Sequence, residues 1–158
     1  MYKRILLATD ETNESLVALR EGALIARRFG AQAFLLVVNI RSTGAIMADG
    51  IYPAPRSDEP ARLLEVGLTR LRRLGVRASG AVVTGEPVTE IGIAARNFNA
   101  DLIVVGHKKQ SLLDRWWSRS AGHYIVDQSQ CSVLIARNDI SDLEFERQMT
   151  AYRTLADA

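Results

Sequence analysis

Near the start of the chain stands the stretch Ile5-Leu6-Leu7-Ala8-Thr9-Asp10, four apolar residues followed by a hydroxyl and a carboxylate. Three further apolar runs have a similar length and character, at residues 34–38, 102–105 and 133–136, and a weaker one lies at 81–83. Short runs that are apolar on both faces are typical of strands in a parallel sheet that helices cover on each side. The five runs therefore predict five buried strands.

The segments between these runs have the period of amphipathic helices. The second such segment carries its apolar stripe at Ala61, Leu64, Leu68 and Leu71, and it ends at Gly75, where a C-terminal cap is expected. A fourth helix is predicted to begin near residue 118 or 120. Strands that alternate with helices predict an α/β fold, a single-domain, open, doubly wound five-stranded parallel sheet of the Rossmann-like kind.

The composition excludes several classes of protein. The chain has 158 residues, 47% of them apolar and 24% charged, with a net charge of +2. This charge is too small for a dedicated nucleic-acid binder, and no run approaches the roughly 20 apolar residues of a membrane span. One cysteine forms no internal disulfide and no multi-cysteine metal site. The first residues show no signal-peptide cleavage pattern, so we expect a cytoplasmic protein without membrane or nucleic-acid partners.

The C-terminal residues form a separate helical extension. We expect one domain over residues 1–137 and an amphipathic extension over 138–158. Ser141 and Glu144 fit the S-x-x-E capping box, and Phe145 begins an apolar face. Two arrangements stay open at this point: the helix packs against its own domain, or it extends a dimer interface.

Ligands of open parallel sheets bind outside the carboxyl ends of the strands, where the strand order reverses. Asp10 leaves the first strand there and is either a ligand-binding carboxylate or the cap of the next helix. The loop from Gly106 to Ala121 joins a strand to a predicted helix N-terminus and carries five basic side chains against Asp114. It is either an anion site or a solvated basic face.

These motifs together resemble the universal stress protein family, over nearly the whole of residues 3–137. The first strand with Asp10 is similar to that of the family, as are residues 84–87 (TGEP), 100–106 (ADLIVVG) and 130–135 (QCSVLI). The resemblance implies a fold like that of adenine nucleotide alpha-hydrolases and a dimer that forms through the last strand, at Val133, Leu134 and Ile135.

Members of this family that bind ATP carry the motif G-x2-G-x9-G-[ST] after the fourth strand. This sequence keeps the spacing, with Gly106 first and Ser120 at the [ST] position, but Lys109 and Arg119 replace the second and third glycines. Side chains at both positions would crowd a triphosphate, because glycine is what lets the backbone approach it closely. Residues 106–107 (GH) and 116–121 (WWSRSA) are more similar to the founding branch of the family, which does not bind ATP.

The resemblance therefore implies a dimeric stress-response module without tight ATP binding, which works through contacts with proteins that the sequence leaves unnamed. The alternative is an adenine-nucleotide sensor for ATP, ADP or AMP. ATP and AMP are the candidate cofactors. An enzyme is not expected, since no nucleophile–base pair and no metal site can be assembled. The candidate nucleotide-binding residues are Ala8, Asp10, Val38, Gly106, His107, Lys109, Arg119, Ser120 and Ala121.

Overall fold

The computed structural model describes residues 1–10, 19–39, 58–106, 129–136, 140–141 and 143–148. The predicted fourth helix, which is expected to begin near residue 118 or 120, lies outside these residues.

The described elements alternate as the sequence predicts. The strands are β1 (Arg4–Thr9), β2 (Gln32–Asn39), β3 (Ala78–Thr84), β4 (Leu102–Gly106) and β5 (Ser132–Ala136). The helices are α1 (Arg20–Phe29), α2 (Glu59–Arg73) and α3 (Pro87–Phe98), and a C-terminal helix includes residues 143–148.

The five strands form one parallel sheet in the order β3-β2-β1-β4-β5. The central strand β1 pairs Leu7 with Leu35 of β2 on one side and with Val104 of β4 on the other. The chain thus builds outward from β1 to β3 and then returns to the opposite side of β1. The predicted doubly wound α/β sheet is confirmed.

Each face of the sheet has its own apolar core, because successive strand residues point to opposite sides. The α1–α2 face carries Leu7, Leu35 and Val104, which pack against helices α1 and α2. The α3 face carries Ala8, Val38 and Val105, which lie in one cluster with residues of α3.

Helix α2 begins with a proline in its first turn and is followed by Gly75, whose φ of +73° places it in the left-handed region. Both features match the sequence pattern. The buried stripe differs by one position: Leu63 is buried, Leu64 is only half-buried, and Ala61 is exposed. The helix is therefore rolled slightly relative to the predicted stripe.

The C-terminal helix packs against its own domain. The hydroxyl of Ser141 accepts a hydrogen bond from the backbone N–H of Glu144 at 3.2 Å, as the capping box predicts. Phe145 packs against the core of the α1–α2 face. Arg20 of α1 donates to the carbonyl of Ile140 at 2.6 Å, and its guanidinium lies 5.4 Å from the centre of the Phe145 ring.

Candidate functional site

The reversal of strand order lies between β1 and β4. The chain leaves β1 toward β2 on one side, whereas β4 enters on the other side, so the connections after these two strands diverge. Their carboxyl ends border the crevice in which open α/β sheets bind ligands. Four of the candidate residues lie at this edge of the sheet.

Two of these four residues are apolar and belong to the core of the α3 face. Ala8 of β1 is 1% exposed and Val38 of β2 is fully buried, and both lie on the α3 face. Side chains of this kind offer no hydrogen bond, so they suit the flat apolar surface of a base or the carbon side of a sugar.

The other two supply the polar rim. Asp10 follows the last residue of β1 and is half-buried, which brings a carboxylate to the mouth of the crevice. Gly106 ends β4 and pairs with Ala136 of β5, so the backbone at this strand end carries no side chain. The carboxyl edge of the sheet thus combines a strand end without a side chain, at the buried Gly106, with the half-buried carboxylate of Asp10.

Sequence reasoning missed the contribution of Thr9. It is the buried polar residue of the described part of the chain, with 1% of its surface exposed, and its hydroxyl donates to the carbonyl oxygen of Asp10 at 3.2 Å. This bond constrains the backbone where the chain leaves the sheet. The signal in the sequence was a hydroxyl at the end of an otherwise apolar run.

Helix α3 also begins at this edge, but its N-terminus is already occupied. A carboxylate oxygen of Glu86 accepts from the backbone N–H of Thr89 at 2.8 Å and from its hydroxyl at 2.9 Å. Glu90 adds a second acid to the same turn. Two acids at a helix N-terminus satisfy its dipole and repel an anion. A phosphate is therefore disfavoured here, and the remaining candidate at this edge is the loop after Gly106.

That loop lies outside the described residues, and so do five of the candidate residues, His107, Lys109, Arg119, Ser120 and Ala121. The structure thus brings together Ala8, Asp10, Val38 and Gly106 and says nothing of the phosphate side of the crevice.

Cys131 lies away from the crevice, at the opposite end of β5. It is half-buried against the core of the α3 face. Burial, together with the negative charge of Asp101, raises the pKa of the thiol above its ordinary value. The thiol is therefore protonated at neutral pH and behaves as a small apolar side chain.

The described residues offer neither a metal-binding group nor a membrane-spanning helix. No group of three or more histidine, cysteine or acidic side chains there could hold a metal ion. None of the helices within those residues has the length and apolar character of a membrane-spanning segment.

Comparison with known proteins identifies the family. The family model described as "Universal stress protein family" matches residues 1–137. The chain belongs to the universal stress protein family. The resemblance noted from the motifs at residues 5–10, 84–87 and 100–106 is thus confirmed.

Individual universal stress proteins agree with this assignment. One from Methanocaldococcus jannaschii is 26% identical over 141 residues, which cover 87% of this chain and 83% of that protein. A structure from Archaeoglobus fulgidus in complex with dAMP is 18% identical with a TM-score of 0.57, and the alignment covers 86% of this chain and 98% of that one. A structure from Arabidopsis thaliana with AMP bound is 17% identical with a TM-score of 0.56, and covers 86% and 92%. These two likenesses support the fold.

Proposed function

We propose that this universal stress protein is a homodimeric stress-response module that does not hold ATP tightly. The observation that carries the proposal is the replacement of two glycines of the family's ATP motif by Lys109 and Arg119. A β-carbon and a long side chain at each position occupy the space through which the backbone would approach a triphosphate. The protein acts by binding other proteins and not by catalysis.

The second candidate function is an adenine-nucleotide sensor, and the crevice favours it. Ala8 and Val38 supply an apolar wall and Asp10 a carboxylate, which together suit an adenosine. Two structures similar to this chain are described as complexes with dAMP and AMP, nucleotides with a single phosphate. A nucleotide with one phosphate needs less space at the loop than ATP does. Lys109 or Arg119 would offer this phosphate a charge-assisted hydrogen bond.

Calorimetric titration of the full chain with ATP and with AMP, each with and without magnesium, separates the two functions. We expect no heat of binding for ATP. Micromolar affinity for ATP would overturn the proposal, since the two side chains would then supply charge to the phosphates instead of blocking them. Heat of binding with AMP but not with ATP would establish the second candidate function, the adenine-nucleotide sensor.

A double variant tests the cause directly. Lys109→Gly with Arg119→Gly restores the glycine pattern of the ATP-binding members, and we expect it to gain ATP binding that the parent lacks. Arg115→Gly removes one positive charge from the same loop without restoring a motif glycine, and it should bind no ATP. If the double variant shows no heat of binding with ATP but still binds AMP, crowding at these two positions does not explain why the parent fails to bind ATP.

We also propose how the protein forms a dimer and where in the cell it acts. We infer that the two-fold contact is formed by Val133, Leu134 and Ile135 on the edge strand β5, and that the domain ends at residue 137, with the C-terminal extension packed against it. The protein acts in the cytoplasm, without a membrane or a nucleic acid as partner.

A further inference from the structure

A cavity of about 270 Å³ lies on the α1–α2 face, between these two helices and the C-terminal helix. Its floor consists of Leu7 and Leu35, which are neighbours on adjacent strands, and its walls include Leu71 of α2. Phe145 of the C-terminal helix forms part of its cover. The cavity is open to solvent on one side, and its apolar floor and partly apolar cover suit the apolar part of a ligand.

Gly67 lines this cavity from the middle of α2 and is buried. Glycine is the poorest of the ordinary residues within a helix, apart from proline, because it loses the most backbone freedom on folding. The helix itself gains nothing from glycine here. A larger side chain at this position would take up space beside the floor, so the glycine helps to keep the cavity open.

The mouth of the cavity is basic. Arg70 and Arg73, both on the last turn of α2, line it with exposed side chains. Within the described ranges no carboxylate forms an ion pair with either guanidinium. Arg20 also lines the mouth but is engaged with the C-terminal segment, and Glu146 is an acid at the rim. Among the described residues that line the cavity, the arginines therefore outnumber the acids.

We propose that this cavity binds a small amphipathic carboxylate, whose alkyl chain lies on the leucine floor and whose carboxylate meets Arg70 and Arg73. The volume corresponds to about nine water molecules at roughly 30 Å³ each, and thus to a chain of about six to eight carbons. Apolar burial supplies the affinity, and the guanidinium groups select the acid over a neutral analogue.

This site is separate from the crevice. Leu7 and Ala8 are consecutive on β1 and therefore point to opposite faces of the sheet. The carboxylate ligand contacts the α1–α2 face, whereas Ala8 and Val38 border the crevice from the α3 face. Occupation of one site leaves the other open, so the inference does not depend on the proposed function.

The test is calorimetric titration of the full chain with octanoate below its micelle concentration, beside octan-1-ol as the neutral analogue. We expect octanoate to bind more tightly than octan-1-ol. Arg70→Gln and Arg73→Gln should each lower the affinity for octanoate by about fivefold, which is the upper end of the effect of an exposed ion pair. Neither substitution should change the affinity for octan-1-ol. Arg72→Gln is the matched control, because Arg72 lies on the same turn but does not line the cavity. It should change neither affinity.

A cavity-filling variant locates the site. Gly67→Leu should abolish binding of both ligands in a protein whose circular dichroism is that of the parent. If it does not fold, Ala23→Leu fills the cavity from the wall of α1. The proposal is overturned if neither ligand binds the parent, if the folded cavity-filling variant still binds octanoate, or if Arg72→Gln weakens octanoate as much as the other two substitutions. Saturation with AMP should leave the octanoate affinity unchanged.

Discussion

At the scale of single residues, Gly80 shows how tightly the edge strand β3 packs. It pairs with Leu35 of β2, and a β-carbon added there would collide with the Leu35 carbonyl oxygen and lie 2.7 Å from the Leu64 Cδ1 atom. A backbone carbonyl in a sheet cannot move aside as the end of a side chain can. We expect Gly80→Ala to lower the free energy of unfolding by about 2–3 kcal/mol, measured by urea denaturation.

The neighbouring Ser79→Ala is the control for this substitution, since Ser79 is exposed on the same strand. It should change the free energy of unfolding by less than about 0.5 kcal/mol. Equal effects of the two substitutions would show that the strand shifts to accept the methyl group.

The pair Leu63 and Leu64 shows where sequence reasoning stops at this scale. Two leucines stand side by side in α2, and the apolar period accommodates either as the buried one. The structure buries Leu63 and leaves Leu64 half-exposed toward β3, where it approaches Gly80. The choice depends on how the helix rolls against the sheet, which no local pattern encodes. The cavity beside Gly67 also depends on how α2 is oriented against the sheet, so the sequence pattern did not predict it either.

At the scale of elements, the C-terminal helix depends on its first turn. Residues 143–148 are helical, and the side chain of Ser141 caps their first turn. Ser141→Ala removes the acceptor of the Glu144 N–H and should cost about 1 kcal/mol of local stability. We expect faster amide hydrogen exchange at Glu144, Phe145 and Arg147.

Ser141→Asp is the matched control, because aspartate caps a helix as well as serine does. It should keep the slow exchange of the parent. The amides of β1 should exchange alike in all three proteins, since its strand pairing does not involve the cap. Faster exchange throughout the sheet of Ser141→Ala would mean that the C-terminal helix unfolds together with the domain.

The strands and the candidate site were predictable to different degrees. The four strong apolar runs predicted strands β1, β2, β4 and β5. Burial on both faces explains the runs of β1, β2 and β4. The prediction of five buried strands is wrong for the edge strands, since β3 has no buried residue and β5 only Ala136. Strand β3 is longer than its run at 81–83, because its first residues include Ser79 and Gly80, which interrupt the apolar pattern. For the site, topology places Ala8, Asp10, Val38 and Gly106 at the carboxyl edge. Residues 85–87 alone did not predict that the side chain of Glu86 caps the N-terminus of α3, since this capping depends on the conformation of Glu86.

At the scale of the whole molecule, the two edges of the sheet differ in their suitability for a second copy. Strand β3 exposes Ser79, Val82 and Thr84, whereas β5 exposes Ser132 and presents three consecutive half-buried apolar residues, Val133, Leu134 and Ile135. An unpaired apolar edge is a template for pairing with another chain, and association removes its remaining surface from water. This difference supports placing the dimer contact on β5.

Substitution at each edge tests this placement. Leu134→Glu adds a buried charge to the proposed contact, and we expect a monomer by light scattering after size exclusion, at a concentration where the parent is a dimer. Val82→Glu puts the same charge on the other edge, at a residue 36% exposed, and should leave the dimer intact. Because Leu134 also packs against the α1–α2 face, Ile135→Lys on the α3 face is the second variant. A dimer that survives both β5 substitutions in folded protein would place the contact elsewhere, and loss of the dimer in Val82→Glu would move it to β3.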